Sequence, residues 1–410
     1  MPEGPETGKE RLRAMKPLAS LKILDLTDGN PYPGSLFADY GAEVLKIEPP
    51  GRGDSIRRRG AAADGAEGPY APYYNRGKKS LTLDLSQSAG QDILRRLVPG
   101  YDMLVANVAE ERLERLGLGC ARLMELNPRL IYGVLTPFGE EGPWKDLPDY
   151  DLLVMARSGL LEKTGMPDKP TRIGPPLAYY YGAWHLTAGM MAAYLDAQES
   201  GRGRKVSVSV WQAICSIDDT YVQGLQGLNT LPRRIGNGFP TTNPTDTFQC
   251  KNGYFALSIG SDAQWLAFAA GAGRADWGEG TVYAHDPDRS MKHYFGELDG
   301  QLRDYFRTIT IEEADRICQE AMVPGGPCNT VRELMDDAQV AARRMILEAD
   351  DPALGRHKQL GRPAKFLDGT QDDAEAPAPA PALGADTDEV LARLGAGERE
   401  IADLRRQGVV

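Results

Sequence analysis

Short apolar runs alternate with amphipathic segments along the first third of the chain. The runs are leucine-rich or β-branched and predict strands at Leu21–Leu26, Val44–Glu48, Lys79–Leu85, Asp102–Val108 and Arg129–Leu135. Segments between them have helical spacing and predict helices at Ser88–Leu97, Glu110–Leu116 and Ala121–Leu126. Ser88 and Gln91 have the spacing of a capping box. Because strands separated by helices pair in parallel, this part predicts an open α/β sheet.

The pattern changes in the middle of the chain. A helix rich in small residues follows Gly182 and ends at the Ser-Gly-Arg-Gly turn of residues 200–203, and Lys205–Val210 alternates like a strand. A segment rich in Gly, Asn and Pro, residues 223–243, indicates a crossing into another domain. A second unit follows, with a strand at Tyr254–Ser258 and helices at 262–270 and 311–321.

These patterns predict three stretches of domain structure. Residues 17–222 form the N-terminal part of a large α/β domain, residues 223–330 a linker and small α+β domain, and residues 331–410 a return to the large domain. Residues 371–382 are low in complexity and predict an extended or mobile linker. The tail from Asp386 to Val410 predicts two short amphipathic helices.

Composition narrows the possible functions. The chain is 41% apolar and 26% charged, as expected of a soluble globular protein. Its net charge of −11 argues against nucleic acid or an anionic membrane as the main partner, and no apolar run is long enough to span a membrane. Five scattered cysteines without CxxC spacing, dispersed histidines and a polar N-terminus predict a reduced, cytoplasmic protein without a metal site.

One cationic string is a candidate ligand site. Asn75-Arg-Gly-Lys-Lys79 precedes a predicted strand, while Asn107 ends the next strand and Arg115 lies in the helix after it. Ligands of open α/β sheets bind beyond the carboxyl ends of the strands, where a cationic loop suits a phosphate-rich ligand. An ordinary solvated surface is the alternative interpretation.

Ten strings, in order, resemble the class III CoA-transferases over residues 17–410. They include ADYGAEVLKIEPPGRGD, YYNRGKKSLTLDL, LNPRLIYGVL, YDLLVMARSGL, ESGRGRKVSVSV and GPCNTVRELMDDAQV. The resemblance implies a ring-like chain with a large and a smaller domain, forming an interlocked dimer. It also implies a CoA thioester as substrate, without a permanently bound cofactor. The positions that match the family's CoA-contacting region are Asn75, Arg76, Lys78, Lys79, Asn107 and Arg115.

The sequence departs from the family where the reaction takes place. In the family, an aspartate follows a G-x-P-x-A string and carries first the acyl group and then CoA, as a thioester on its own carboxyl carbon. Here the string is Gly174-Pro-Pro-Leu-Ala178, and the next residue is Tyr179. A phenol has no carbonyl carbon, and residues 174–182 contain no acid. The chain therefore has no predicted catalytic residue at this position.

The loop Asp28–Gly34 is a second departure from the family pattern. It lacks the family's A-G-P core and is about two residues shorter than usual. We expect it to line the same pocket, so two changes at one site favour lost catalysis. A tyrosine run at 179–181 that simply fills core space remains an alternative.

Three hypotheses follow. The first is a non-catalytic subunit of a heteromeric CoA-transferase, paired with an aspartate-bearing paralogue and resembling the aspartate-less subunit of succinyl-CoA:benzylsuccinate CoA-transferase. The second is a homomeric, racemase- or isomerase-like enzyme that processes acyl-CoA with other residues, although Tyr150 stands near that branch's histidine. The third is a CoA-binding pseudoenzyme.

Overall fold

The chain is described here by a computed structural model covering residues 16–60, 67–217, 226–227, 233–239, 242–351, 354–366 and 376–410. The described residues fall into two compact units. The first is drawn from Met1–Ser158, Ile173–Asp218 and Ala338–Val410, and the second from Gly159–Arg172 and Asp219–Asp337. The domain boundaries expected from the sequence stay predictions.

The strands of the described residues are numbered from the N-terminus. They are β1 (Lys22–Asp25), β2 (Glu43–Glu48), β3 (Lys79–Thr82), β4 (Met103–Ala106), β5 (Ile131–Thr136), β6 (Gly165–Met166), β7 (Lys169–Pro170), β8 (Lys205–Ser209), β9 (Thr245–Cys250), β10 (Gly253–Ser258), β11 (Gly325–Pro327), β12 (Ile346–Asp351) and β13 (Gly355–Leu360).

The α-helices follow the same order. They are α1 (Tyr32–Asp39), α2 (Tyr70–Asn75), α3 (Ser88–Leu97), α4 (Glu110–Arg115), α5 (Cys120–Leu126), α6 (Asp151–Arg157), α7 (Leu160–Lys163), α8 (Leu177–Ser200), α9 (Val210–Ser216), α10 (Asp262–Gly271), α11 (Asp299–Arg307), α12 (Ile311–Glu320), α13 (Val331–Met335), α14 (Ala338–Ala342), α15 (Thr387–Arg393) and α16 (Glu398–Arg406). Single 3₁₀ turns occupy Ser55–Arg58, Val98–Gly100 and Ala275–Trp277, and Arg289–Leu298 is a π-helical segment.

The first unit is built on the predicted parallel sheet. Six strands pair in the order β3-β2-β1-β4-β5-β8, and every pair is parallel. Leu24, Leu45 and Leu104 of the inner strands are fully buried because helices cover the sheet. The open α/β prediction is therefore confirmed.

The C-terminal helices belong to this sheet's core. Leu391 and Val409 pack in the same apolar cluster as the strands. The backbone of Asp386 donates to the carbonyl of Ser80 at 3.0 Å, and Asp84 donates to the carbonyl of Val409 at 2.7 Å. The tail thus covers β3, and the prediction of two short terminal helices is confirmed.

The sequence made local predictions at the start of α3 and at the linker of residues 371–382. The capping box at Ser88 is wrong, because Gln87 is the N-cap residue and Ser88 already lies inside α3 without a capping hydrogen bond. Part of the predicted linker, residues 371–375, lies outside the described residues. Residues 376–382 form neither helix nor strand, but the carbonyl of Ala378 accepts a hydrogen bond from Gly77 at 2.9 Å.

The second unit combines a small antiparallel sheet with helices, as an α+β domain does. Its strands pair in the order β11-β10-β9. The core is aromatic, and Trp265, Phe268 and Trp277 pack with their ring centroids 5.8–6.4 Å apart. In the described part of the chain, no helix has the length and apolar character needed to cross a membrane.

A buried ion network lies beneath the carboxyl ends of β1 and β2. Lys78 Nζ lies 2.9 Å from Asp25 Oδ2, and Lys46 Nζ lies 3.4 Å from Asp25 Oδ1 and 2.8 Å from Asp54 Oδ2. Burial alone would raise the pKa of Asp25, but the ammonium groups of Lys46 and Lys78 lower it to about 2. The network is electrically balanced, and Asp25 is therefore ionised in the folded protein at neutral pH.

We predict that Asp25→Asn lowers the free energy of unfolding by about 3 kcal/mol, because two buried ammonium groups then share one carboxylate. Urea denaturation at neutral pH measures the loss. The folded pKa of Asp25 lies below its unfolded value, so this stabilisation is present above about pH 4 and is lost as pH falls through about 2.

The matched control is Asp92→Asn, which removes an exposed carboxylate paired with Arg95 at 2.6 Å. We expect this control to cost less than about 1 kcal/mol. An Asp25→Asn variant as stable as the control would show that the network does not hold this part of the fold.

Candidate active site

The strand order reverses between β1 and β4, and their carboxyl ends define a crevice at the switch point of the sheet. Asp28 follows β1 and Asn107 follows β4. The backbone of Asp28 donates to Asn107 Oδ1, and Asn107 Nδ2 donates to the carbonyl of Asp28, each at 2.8 Å. The structure thus places Asn107 at the predicted edge of the sheet, where it ties two loops together.

The Asp28–Gly34 loop is also held from the β2 side. The backbone of Gly29 donates to Asp54 Oδ1 at 2.7 Å, and the backbone of Ser55 donates to Asp28 Oδ1 at 2.7 Å. Asp54 belongs to the buried ion network, so the network and the loop form one connected structure.

Three of the predicted CoA contacts are buried. Arg76 binds Asp39 through two hydrogen bonds, at 2.8 and 2.7 Å, and also donates to the carbonyl of Leu360. Lys78 is committed to the ion network described above. Asn75 is fully buried, and neither atom of its side-chain amide has a hydrogen-bond partner among the described residues.

The two other predicted cations are more accessible. Lys79 is partly exposed and pairs with Glu389 at 3.3 Å. Arg115 is exposed, and its Nε donates to the carbonyl of Glu111 within the same helix. The six predicted residues are therefore spread between the interior and the surface, and their contact with CoA stays a prediction.

Tyr179 lies in the first turn of α8. The backbone N–H of the preceding residue, Ala178, donates to the buried Asp151 at 3.2 Å, so Asp151 satisfies one of the free donors at this helix end. The hydroxyl of Tyr179 is buried without a hydrogen-bond partner among the described residues. The structure thus places a phenol at the helix N-terminus where the resemblance predicts the family's aspartate.

Four tyrosines, hereafter the tyrosine cluster, pack beside this turn: Tyr32, Tyr73, Tyr74 and Tyr180. The hydroxyls of Tyr74 and Tyr180 lie 2.6 Å apart, and the rings of Tyr32 and Tyr180 meet edge to face at 4.8 Å between centroids. Tyr73 contacts Tyr74 in the same way at 5.0 Å. Since Tyr32 belongs to the Asp28–Gly34 loop, this loop contacts the residue that follows Tyr179.

The phenols of Tyr32, Tyr73 and Tyr74 are neutral at physiological pH. Burial raises the pKa of Tyr73 to about 12. Burial, followed by the hydrogen bond with Tyr180, raises the pKa of Tyr74, and burial raises that of Tyr32. These three phenols therefore provide hydrogen bonds and apolar surface rather than a nucleophilic anion.

Two acids, Asp149 and Asp151, flank the start of α6. Loss of hydration at its carboxyl group and then repulsion by Asp151 raise the pKa of Asp149 to about 6. Asp149 as a whole residue is exposed, whereas Asp151 is buried and caps α8. No group of His, Cys, Asp and Glu that could hold a metal occurs within the described ranges.

The sequence did not reveal Tyr32 or Tyr74 as members of the site. Tyr74 stands next to the string that was interpreted as cationic. Tyr32 lies in the Asp28–Gly34 loop, which was expected to line the pocket without any of its side chains being singled out. Helices α1 and α2, which carry these tyrosines, are short and lack side-chain caps, so no local signal marked them.

The parallel sheet and its switch point agree with the family indicated by the sequence. The model of CoA-transferase family III matches residues 18–387, and the chain belongs to this family. Its substrates are accordingly CoA thioesters, and the reaction needs no permanently bound cofactor.

Individual relatives cover almost the whole chain. Succinyl-CoA–D-citramalate CoA-transferase of Chloroflexus aurantiacus is 30% identical over 97% of this chain and 99% of its own. The beta subunit of succinyl-CoA–L-malate CoA-transferase from the same organism is 28% identical over 96% and 98%. The crystal structure of a CaiB/BaiF family protein from Brucella suis superimposes with a TM-score of 0.81 at 26% identity, covering 93% of this chain and all of the other.

We predict that Tyr179→Phe leaves the free energy of unfolding unchanged or raises it by about 1 kcal/mol, because it removes a buried hydroxyl that has no partner. Tyr180→Phe is the matched comparison and leaves the hydroxyl of Tyr74 unpaired. It should cost about 1 kcal/mol in the same urea titration.

If Tyr179→Phe lowers the free energy of unfolding as much as Tyr180→Phe does, the prediction is wrong. It would show that the Tyr179 hydroxyl makes a stabilising hydrogen bond in the folded protein.

Proposed function

We propose that this chain is the aspartate-less subunit of a heteromeric class III CoA-transferase, and that a paralogous subunit supplies the reactive carboxylate. The observation that carries the proposal is the first turn of α8. Tyr179 occupies the reactive position, and Tyr180 beside it is packed against Tyr32 and hydrogen-bonded to Tyr74.

The chemistry explains why this substitution matters. The enzyme's carboxylate must become an acyl anhydride and then a CoA thioester, and both species require a carboxyl carbon. A tyrosine offers only a hydroxyl on an aromatic ring. With no acid between residues 174 and 182, a neighbouring residue in this turn does not replace it.

The packing around Tyr180 supports a lasting loss of catalysis rather than a single exchanged residue. Tyr32 reaches Tyr180 because the Asp28–Gly34 loop is short and is pinned by Asn107 and Asp54. Restoring an aspartate at position 179 leaves this aromatic contact and the pinned loop in place.

Two observations support a partner subunit. One relative is named as the beta subunit of a CoA-transferase, which places a close homologue in an assembly with more than one kind of chain. In this chain, α8 carries exposed apolar side chains at Trp184 and Leu195, which are 44% and 64% accessible. Exposed apolar surface on a long helix is typical of a face that another subunit covers.

The substrates are part of the same proposal. Succinyl-CoA is the donor that the names of the Chloroflexus relatives indicate, and we extend it to this assembly. The acceptor is an organic acid, with benzylsuccinate, an aromatic dicarboxylate, as the specific candidate. Aromatic side chains at 179–181 are compatible with an aryl group because such rings pack edge to face.

A second candidate is a homomeric enzyme that moves a proton on an acyl-CoA. Asp149 favours it, since a carboxyl group with a pKa of about 6 suits general acid–base catalysis near neutral pH. Exchange of deuterium into the α-carbon of an acyl-CoA by the isolated chain, lost in Asp149→Asn, would replace the first proposal with this one.

We predict that the purified chain alone transfers no CoA from succinyl-CoA to an acceptor acid, whereas co-expression with an aspartate-bearing paralogue yields an active complex. The assay follows labelled CoA thioesters by chromatography. Because only the paralogue carries the carboxylate, its Asp→Asn variant should abolish activity in the complex.

Tyr179→Asp in the isolated chain is the companion variant. We expect it to stay at least about 100-fold below the complex, because the loop and the tyrosine cluster still misplace the reacting groups. Robust CoA transfer by the unmodified, isolated chain would contradict the proposal.

A further inference from the structure

A polar cavity with a volume of about 220 Å³ lies at the amino ends of β4 and β5. Its lining comes from the turn before β4, the turn before β5 and the last two turns of α8, and it includes Asp102, Arg129, Tyr194 and Gln198. Asp102 directly precedes β4 and Asn107 directly follows it, so the strand separates the cavity from the switch point by roughly 16 Å. The cavity and the crevice are therefore at opposite ends of the sheet.

Two opposite charges line the cavity without pairing with each other. Asp102 Oδ2 accepts a hydrogen bond from the backbone of Lys22 at 2.9 Å, whereas Oδ1 has no hydrogen-bond partner among the described residues. The side chain of Arg129 makes a long hydrogen bond, from Nη2 to Gln198 Oε1 at 3.4 Å. Neither Asp102 nor Arg129 forms a salt bridge within the described ranges. A carboxylate and a guanidinium thus line one cavity, and both can bind a ligand.

The phenol of Tyr194 lies close to both charges. Burial raises its pKa, the carboxylate of Asp102 raises it further, and the guanidinium of Arg129 lowers it. Tyr194 is therefore neutral at physiological pH, and its hydroxyl can either donate or accept a hydrogen bond. The ring of Tyr194, together with Pro99 and Ala197, gives the cavity an apolar part.

Asn127 holds the two turns of the cavity together. Its Nδ2 donates to the carbonyls of Val98 at 3.2 Å and Tyr101 at 2.8 Å, and its Oδ1 accepts from the backbone of Arg129 at 3.1 Å. The backbone that carries Asp102 is therefore fixed relative to the backbone that carries Arg129. This order is present before a ligand binds, which reduces the entropy lost on binding.

We infer that this cavity binds a small amino acid as a zwitterion, with its ammonium group at Asp102 and its carboxylate at Arg129. The guanidinium fork of arginine matches the two oxygens of a carboxylate, and hydrogen bonds between ionised groups are stronger than those between neutral ones. A ligand with a single charge would leave the opposite charge of the cavity without a partner.

The size of the cavity supports a small ligand, because pockets for drug-sized molecules begin at about 300 Å³. The cavity is also remote from the switch point at which the transfer reaction is expected. The inference therefore adds a second ligand to the proposed function and does not depend on it.

The first test is ligand-observed NMR of the full-length chain with the twenty protein amino acids, β-alanine and 4-aminobutyrate, followed by calorimetric titration of those that bind. We expect a small amino acid to bind with a Kd of about 1 mM or tighter. Its deaminated acid and its decarboxylated amine, which are propionate and ethylamine for β-alanine, should bind about tenfold or more weakly, because each lacks one ionic contact.

Two variants assign the contacts. Asp102→Asn keeps an acceptor for the backbone of Lys22, and Arg129→Gln keeps a polar side chain, so we expect both to unfold at the wild-type midpoint. Each should weaken binding of the amino acid by about tenfold. Arg129→Gln should bind the amino acid no better than the amine, and Asp102→Asn should bind it no better than the deaminated acid, because the missing charge is the one that distinguished the two probes.

The matched control is D92N/R122Q, which removes one exposed acid and one exposed arginine outside the cavity, each paired within its own helix. We expect its affinity for the amino acid to stay within about twofold of the wild type. The inference is overturned if no amino acid binds, if both cavity variants bind as the wild type does, or if the control loses as much affinity. Equal affinity of the wild-type chain for the amino acid and its single-charge analogues would overturn it without any variant.

Discussion

The carboxylate of Asp25, shared between the ammonium groups of Lys46 and Lys78, fixes the geometry on which the crevice depends. The three residues lie on or just before three adjacent strands, β1, β2 and β3, and their side chains are almost entirely inaccessible to water. Through Lys46 the network holds Asp54, and through Asp54 it holds the loop after β1. The buried lysines and aspartates of this network pair with one another, so they hold the strands and the loop in position instead of binding a ligand.

The packing of tyrosine side chains determines the surroundings of Tyr179. A short loop brings Tyr32 against Tyr180, and the Tyr74–Tyr180 hydrogen bond closes the contact. The result is an aromatic surface at a helix N-terminus, where the sequence resemblance predicts an aspartate in other members of the family; a helix N-terminus stabilises such an anion. The chain belongs to CoA-transferase family III and carries Tyr179 in the first turn of α8.

The sequence predicted the parallel sheet because its strands are apolar runs separated by helices, and buried parallel strands carry that pattern. The departure from the family pattern at Tyr179 could also be recognised from the sequence, because the string Gly174–Ala178 comes directly before it. The burial of Arg76 and Lys78 could not be predicted, because a lysine that faces Asp25 looks the same in sequence as a lysine that faces solvent. Burial depends on pairing between strands, and that information is not local. Tyr32 was missed for the same reason, as its contact with Tyr180 spans much of the chain.

The proposed heteromer requires this chain to assemble with a homologous subunit in the cell. The most direct measurement is native mass spectrometry of the tagged chain isolated gently from its own source cell, with the subunits identified by peptide sequencing. We expect a complex of this chain with a homologous subunit that carries aspartate at the position equivalent to Tyr179. A complex containing only copies of this chain, with CoA-transferase activity in the same preparation, would contradict it.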